Sequence, residues 1–312
     1  MKTKLLLVFC FSLMLAACGD ERPDRLASNI KTAGVLIDNL GETLETNGIH
    51  NTTILREYAK ILSSERPELK PLLLQLRRDA EKDGPLYQSL VKRLKTVKEQ
   101  PELIGDIEAQ LYESENLIEA SDPNLFNDLL SDSINVIADM SNGKLARVNA
   151  ISKQTSLQAN GAEDNGAGSQ LIGNPQYGNW QTNSSGSSFW QWYGMYAMFS
   201  ALSPRPVYYN NWSSNRDYSY YSDYGRNRYT SPQQMKSQND LETRTKKQFA
   251  NKGGFKSPYA KSKSGASRMS SSSQRAQKST SFSGKSSYSK SKSSSSFRNS
   301  SSTTSRGISR GK

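Results

Sequence analysis

Few side chains in this sequence could support catalysis. His50 is the one histidine among 312 residues, which leaves no partner imidazole for a histidine metal site or a histidine-dependent triad. It follows a Gly-Ile pair in a turn between two predicted helices, where we expect it to be exposed or to cap a helix. Glu115 and Glu119 are four positions apart and would share one helical face. Two carboxylates can act as general acid and base, but only in a cleft that separates their pKa values.

A second acidic group, Asp79, Glu81 and Asp83, has a spacing of two that spreads its side chains around a helix. We expect a solvated face in which Arg77 and Arg78 form local ion pairs. The sequence contains no glycine-rich phosphate loop, no serine nucleophile elbow and no Cys/His metal spacing. It therefore predicts a protein without catalytic activity, cofactor or metal.

The first eighteen residues have the organisation of an export signal. Two lysines precede an apolar run over residues 5–15, which is shorter than the roughly twenty residues that a membrane-spanning helix needs. Leu15-Ala16-Ala17-Cys18 then resembles the lipobox of bacterial lipoprotein precursors. The resemblance implies removal of residues 1–17 as a signal peptide and acylation of Cys18, for example by palmitate.

This resemblance has consequences for the thiols and for the location. Cys10 leaves with the signal and Cys18 carries lipid, so no thiol remains for a disulfide or a zinc site. Several acyl chains, at about 0.8 kcal/mol per buried methylene, anchor such a protein in the cell envelope. In enteric-type bacteria, Asp directly after the lipidated Cys retains the protein in the inner membrane. Here Gly19 follows instead, which favours the outer membrane, facing the periplasm or the surface. Other bacteria read later positions, where Asp20 would favour the inner membrane.

Charge is distributed unevenly along the chain, which has 41 basic and 29 acidic residues. Residues 18–150 carry an excess of seven acids, residues 151–242 are balanced, and residues 243–312 hold 17 bases and no acid. The sequence thus joins an acidic body to a cationic end, and charge of one sign at this density favours contact with a polyanion.

We predict an α-helical domain over residues 24–151, joined to Cys18 by an anchor linker, residues 18–23. Its apolar residues recur at steps of three and four. In the first helix they are Leu26, Ile30, Ala33, Ile37, Leu40 and Leu44. Caps, prolines and glycines predict five more helices, starting at Asn51 or Thr52, Pro67, Gly84-Pro85, Pro101 and Asp122-Pro123. Apolar residues over 145–151 predict one further short helix.

Short connections between these helices favour antiparallel neighbours, so the expected fold class is an all-α helical bundle. The first stripe covers three heptads, which would also permit a coiled coil with a partner chain. A core-facing bundle helix produces the same pattern, and this is the interpretation we prefer.

Residues 152–188 lose the helical period and fill with Asn, Gly, Ser and Gln, which predicts a flexible linker. A low-complexity aromatic segment follows over residues 189–229. Its candidates for membrane or partner contact are Trp190, Trp192, Tyr193, Tyr196 and Phe199. Trp and Tyr favour the membrane–water interface. The alternative, which we slightly prefer, is that this segment packs on the helical body, because exposed aromatic side chains would aggregate.

Residues 230–312 are predicted to be a disordered, basic tail, because serine and cations leave little apolar surface to bury. The candidates for contact with an anionic surface are Lys261, Lys263, Lys285, Lys290, Lys292, Arg298, Arg306 and Arg310. The expected partners are phospholipid headgroups or an anionic envelope polymer such as lipopolysaccharide, teichoic acid or peptidoglycan. Arginine among tyrosines would also suit single-stranded nucleic acid, but the export signal makes nucleic acid a poor candidate.

These observations predict a non-catalytic, lipid-anchored envelope protein whose aromatic segment and cationic tail contact membrane or anionic polymer. A first alternative is an accessory subunit of an envelope enzyme, transporter or channel, bound to an integral membrane protein. A second is a cell-wall hydrolase that uses Glu115 and Glu119.

Overall fold

The first helix, α1 (Arg22–Glu45), forms where the apolar stripe predicts it. Ala33, Ile37, Leu40 and Leu44 are each at most 1% exposed and face the core. A proline lies in its first turn, where a missing N–H leaves no hydrogen bond unmade. The computed structural model describes residues 20–249 and 254–282.

The rest of the helical body consists of short helices joined by tight connections. They are α2 (His50–Glu65), α3 (Lys70–Arg77), α4 (Pro85–Glu99), α5 (Ile107–Ala120), α6 (Pro123–Leu129) and α7 (Ser131–Met140). Helix α1 packs along α5 and α4, and α2 packs against α3 and α7. Leucines and isoleucines from all of these helices form one core. The predicted all-α helical bundle is confirmed.

Three helix starts differ from the prediction. The helix predicted at Pro67 begins at Lys70, after a 3₁₀ turn (Pro67–Leu69). The second helix begins at His50 instead of behind a cap at Asn51 or Thr52, and both of these side chains are buried inside it. Asn51 bonds the backbone oxygen of Asn127, and Thr52 bonds its own turn. The fifth helix begins at residue 107, because Asp106 caps it and the region around Pro101 forms a 3₁₀ turn.

The cap at Asp122 is confirmed, since its carboxylate accepts the N–H of Asn124. The short helix predicted over 145–151 is wrong. Asn135, buried on α7, bonds both the N–H and the C=O of Val148, at 2.7 and 3.1 Å. This pairing and the left-handed backbone of Asn149 hold the segment in a non-helical conformation.

The prediction of a flexible linker over residues 152–188 is also wrong. This stretch contains α8 (Lys153–Asn160), a 3₁₀ turn (Ala167–Leu171) and the strand β1 (Gly178–Thr182). β1 pairs antiparallel with β2 (Ser188–Trp192), with Trp180 opposite Trp190. The 3₁₀ turn packs on α7, so the helical body itself orders this part of the chain.

The aromatic segment continues the core. After β2 come a 3₁₀ turn (Gly194–Met198), α9 (Phe199–Leu202), α10 (Tyr209–Asn215), a π-helical turn (Tyr221–Gly225) and α11 (Arg226–Tyr229). The ring centroid of Trp180 lies 5.0–5.1 Å from the ring centroids of Trp190, Tyr209 and Trp212. These aromatic contacts join the same core as the leucines of the helical body.

Ordered structure extends further into the predicted tail than expected. Helix α12 (Pro232–Gln248) begins with a capping box formed by Ser231 and Gln234, and α13 (Ser271–Phe282) ends the described chain. Residues 250–253 and 283–312 lie outside the described residues.

Candidate functional site

The structure buries four of the five aromatic candidates. Trp190, Trp192, Tyr196 and Phe199 are between 0 and 8% exposed. The ring of Trp192 contacts those of Trp190 and Phe199 at 5.6 and 4.9 Å, and Tyr196 meets Tyr177 edge-on at 5.1 Å. Of the two interpretations of this segment, packing on the body is correct for these four residues.

Tyr193 remains available for contact, with 44% of its surface exposed. Met195 is equally exposed, two residues later in the 3₁₀ turn that packs on α3. Leu74 of α3 and Tyr208 are exposed to a similar degree. Sequence reasoning did not select Met195, Leu74 or Tyr208, because their apolar character matches that of the buried residues beside them.

Each of the two candidate catalytic carboxylates is paired with an arginine. Exposed Glu115 pairs with Arg25 of α1, and Glu119 pairs with Arg228 at 2.7 Å. Each carboxylate thus meets a guanidinium from a different segment. This arrangement joins α5 to α1 and to the aromatic segment.

A buried ion pair lies beside these contacts, between Arg93 of α4 and Glu113 of α5. Nε and Nη2 of Arg93 donate to the two carboxylate oxygens at 2.7 and 2.9 Å. The Nη1 of Arg93 donates to the backbone oxygen of Arg228, whose own guanidinium bonds the backbone of Tyr224 and Ala276. Two arginines therefore link α4, α5, α11 and α13.

Asp79, expected on a solvated face, is fully buried. Its Oδ2 accepts hydrogen bonds from Ser133 at 2.6 Å and from Tyr177 at 2.8 Å. Burial raises the pKa of this carboxyl to about 7, because the charged form loses its hydration. The local pairs predicted beside it do form, between Arg77 and Glu81 and between Arg78 and Asp83.

Two more buried carboxylates of the helical body hold later segments. Asp132 of α7 accepts the backbone N–H groups of Tyr220 and Tyr221 at 2.8 and 2.9 Å, and burial raises its pKa to about 7. Asp128 of α6 accepts three hydrogen bonds from Ser270 and Ser273 through one oxygen. The acids of the helical body thus act as acceptors for the C-terminal half.

The segment after residue 254 is fixed by a second buried ion pair. Arg216 and Asp223 pair at 2.6 Å with at most 2% of either side chain exposed. Arg216 also donates to the backbone oxygen of Pro258, and Asp223 accepts the N–H of Lys263. Lys263 is therefore half-buried, and burial lowers the pKa of its amine.

Exposed cations accumulate on these ordered C-terminal segments. We call this set the C-terminal cationic region, and it consists of Arg244, Lys246, Lys247, Lys256, Lys261, Arg268 and Arg275. In the part of the chain that the structure describes, no carboxylate forms an ion pair with any of them. Asp240 and Glu242 on α12 are the last acids before it in sequence. The region carries a net positive charge.

Of the predicted anionic-surface contacts, Lys261 belongs to this region and Lys263 is half-buried next to it. Cys18 lies outside the described residues. So do the other six candidates: Lys285, Lys290, Lys292, Arg298, Arg306 and Arg310.

A groove of about 420 Å³ with a mixed apolar and polar lining lies between α4 and the start of α12. The Arg93–Glu113 pair lies along it, and Gln176, Gln233 and Lys92 also line it. The N–H₂ of Gln176 donates to Ser89 at 2.9 Å and ties the wall to α4. The groove combines one amine, several amides and the apolar edge of Leu103, a lining suited to a peptide segment.

Two absences concern only residues 20–249 and 254–282. None of the helices there combines the length and apolar content needed to cross a bilayer. His, Cys, Asp and Glu side chains in the same ranges do not gather in threes as a metal ion would require.

Comparison of the chain with protein-family models, with curated proteins and with solved structures gives no match.

Proposed function

We propose that this protein is a non-catalytic, lipid-anchored protein of the cell envelope whose C-terminal cationic region contacts an anionic envelope component. The observation that carries the proposal is the exposure of seven described cations that no acid neutralises. The lipobox resemblance at Cys18 supplies the anchor, and the outer membrane is the proposed location.

Four exposed lysines of the helical body form ion pairs. Lys60, Lys82, Lys95 and Lys144 each have a carboxylate within 4.0 Å. Lys31, Lys70, Lys92 and Lys98 are exposed without an ion pair among the described residues, but they belong to the part of the chain that has an excess of seven acids. The C-terminal end has no acid after Glu242, so a polyanion gains most from contact there.

The environment of the candidate carboxylates supports a role without catalysis. Glu115 is paired with Arg25, and Glu119 faces Arg228. A general acid or base needs a carboxylate that can reach substrate in a cleft, and the guanidiniums occupy these two. Their contacts support a structural function.

The experiment combines metabolic palmitate labelling with membrane fractionation, for the wild type and for Cys18→Ala. We expect labelled wild type in the outer-membrane fraction and an unlabelled, uncleaved variant. Labelled protein in the inner membrane would contradict the proposed location. Absence of label from the wild type would remove the anchor and with it the proposal.

A second candidate function is that of an accessory subunit, and the groove between α4 and α12 favours it. An extended segment of an integral membrane protein would bind there, with a carboxylate directed at Lys92. A photo-crosslinking residue at Gln233 should then give one membrane-protein adduct, which Lys92→Glu abolishes. The same adduct after substitution of Lys92 would count against the groove.

A further inference from the structure

The distance between the lipid anchor and the folded body is short. Helix α1 begins at Arg22, and its first turn is fixed by Arg22, which pairs with Asp20 at 2.7 Å and with Glu108 at 3.1 Å. Four residues lead from Cys18 to this helix. Because an extended residue spans at most about 3.6 Å, the tether reaches no more than roughly 14 Å.

A tether of this length confines the body to the membrane surface. Electrostatic attraction in physiological salt decays over about 8 Å, so the headgroups lie within about two decay lengths of the first helix. A folded body of this size has a radius of gyration of roughly 18 Å. Rotation about the anchor therefore brings the faces beside the start of α1 to the headgroups. Helix α13 lies on this side: Glu115 of α5 pairs with Arg25 of α1, and Glu119, one turn further along α5, pairs with Arg228. The guanidinium of Arg228 in turn bonds the backbone of Ala276 in α13.

The charge distribution decides which face that is. The helical part, residues 18–150, has an excess of seven acids, and an anionic surface repels it. The cationic region is attached to the opposite end of the sequence and is held in place by Arg216, Asp223 and Asp128. From these observations we propose that the region binds anionic phospholipid headgroups of the membrane that holds the Cys18 lipid, and so orients the body on it.

This inference rests on the proposed function, because it requires the anchor, and it selects one anionic component among several. Headgroups are the anions that the tether keeps within reach at all times. A wall polymer or lipopolysaccharide core must instead extend to the body. The cationic region would therefore set an orientation, while the acyl chains supply retention.

The first test measures vesicle binding by the mature full-length chain with Cys18→Ser, so that acyl chains do not mask the electrostatic contribution. The test variant replaces Lys246, Lys247, Lys256 and Lys261 with Gln. The matched control replaces four ion-paired lysines of the helical body with Gln: Lys60, Lys82, Lys95 and Lys144. Both variants have the same net charge.

We expect the parent chain to bind phosphatidylglycerol-containing vesicles and to bind pure phosphatidylcholine vesicles much more weakly. Each lysine that reaches the headgroups contributes about 1 kcal/mol, or about 5-fold in affinity. If at least two of the four lysines reach the headgroups, the affinity of the test variant for anionic vesicles should fall by at least about 25-fold. The affinity of the control should fall by no more than about 2-fold. Equal losses in the two variants, or equal binding to both kinds of vesicle, would overturn the inference.

The cations beyond residue 282 require their own variant. Replacing Lys285, Lys290, Lys292, Arg298, Arg306 and Arg310 with Gln leaves the described region intact. We expect this variant to keep selective binding to anionic vesicles. If it loses all binding while the four-lysine variant loses none, the described region is not the contact.

The second test measures orientation on the acylated protein, after palmitate labelling has established the anchor. Amine modification with a membrane-impermeant reagent should protect Lys246, Lys247, Lys256 and Lys261 in membranes and not in detergent. Lys60 and Lys95 should react equally in both. Labelled protein without this protection would refute the orientation while leaving the anchored function intact. Binding to purified lipopolysaccharide or teichoic acid in place of vesicles would identify the polymer as the partner and also refute it.

Discussion

Arg93 and Glu113, twenty positions apart on neighbouring helices, form a bidentate ion pair with at most 4% of either side chain exposed. The third nitrogen of the guanidinium bonds the backbone of Arg228, far along the chain. One arginine thus closes the interface between α4 and α5 and holds the aromatic segment against it.

Arg93→Ala should destabilise the protein by about 3–5 kcal/mol, because it leaves a buried carboxylate without a partner. Denaturant unfolding followed by circular dichroism measures the loss. Lys95→Ala, which removes an exposed i,i+4 pair with Glu99, should cost less than about 1 kcal/mol. Similar losses in the two variants would show that the buried pair contributes nothing special.

Asp79 should make stability depend on pH. Its folded pKa is raised to about 7 by burial, against roughly 3.9 in an unfolded chain. Between these values the folded state binds more protons than the unfolded state, so the contribution of Asp79 to stability is lost as pH rises from about 4 to 7. Asp79→Asn should flatten this part of the curve, measured by unfolding at pH 5, 6, 7 and 8.

Asp132 has the same raised pKa and should contribute a parallel dependence. The double variant Asp79→Asn with Asp132→Asn should therefore show a smaller pH slope than either single variant. The free energy of unfolding is plotted against pH for the wild type and the double variant. If the two plots remain parallel across this range, both assignments are contradicted.

Asp128→Ala should release α13 from the body. The substitution removes the acceptor for Ser270 and Ser273, whose hydrogen bonds to the carboxylate are 2.7–3.0 Å long. Each bond to a charged group is worth about 1.5–3 kcal/mol, so hydrogen exchange over residues 271–282 should accelerate at least about 10-fold. Exchange in α1 should stay unchanged. Asp83→Ala, at an exposed carboxylate, is the control.

Two glycines should respond in opposite ways to alanine. A Cβ on Gly84 would overlap the backbone oxygen of Arg78, so Gly84→Ala should destabilise the turn before α4. A Cβ on Gly34, inside α1, meets its nearest atoms at 3.7–3.8 Å. Gly34→Ala should therefore stabilise the protein by about 0.5–1 kcal/mol. Thermal unfolding of each variant measures its change in stability. A Gly84→Ala variant as stable as the wild type, or a Gly34→Ala variant less stable than it, would contradict the prediction.

The helical body was predictable because its signals are local. The stripe that includes Ile37 and Leu40, and the cap at Asp122, lie within a few residues of the elements they define. A period of three and four residues needs no knowledge of distant partners. The same reasoning failed at Asn51 and over 145–151, where contacts from Asn127 and Asn135 override the local pattern.

The C-terminal half was not predictable in this way. Residues 152–188 are rich in Asn, Gly and Ser, and nothing local indicates that α7 will order them. Asp79 illustrates the difficulty, since its partner Tyr177 is 98 positions away. The apolar residues of the aromatic segment do not recur at a regular spacing. Their burial depends on the surface of the helical body on which they pack, and the sequence pattern does not show that surface.

Three buried acceptors that hold later segments lie early in the chain. Asp79 accepts a hydrogen bond from Tyr177, Asp128 accepts one from Ser270, and Asp132 accepts one from the backbone of Tyr220. All three acids precede residue 140. The chain leaves a ribosome or an export channel with its N-terminus first. These three acceptors are therefore in place before the segments that bond to them appear. Truncations from the C-terminal end should leave a helical body, whereas loss of the first helices should leave the aromatic half without a place to fold.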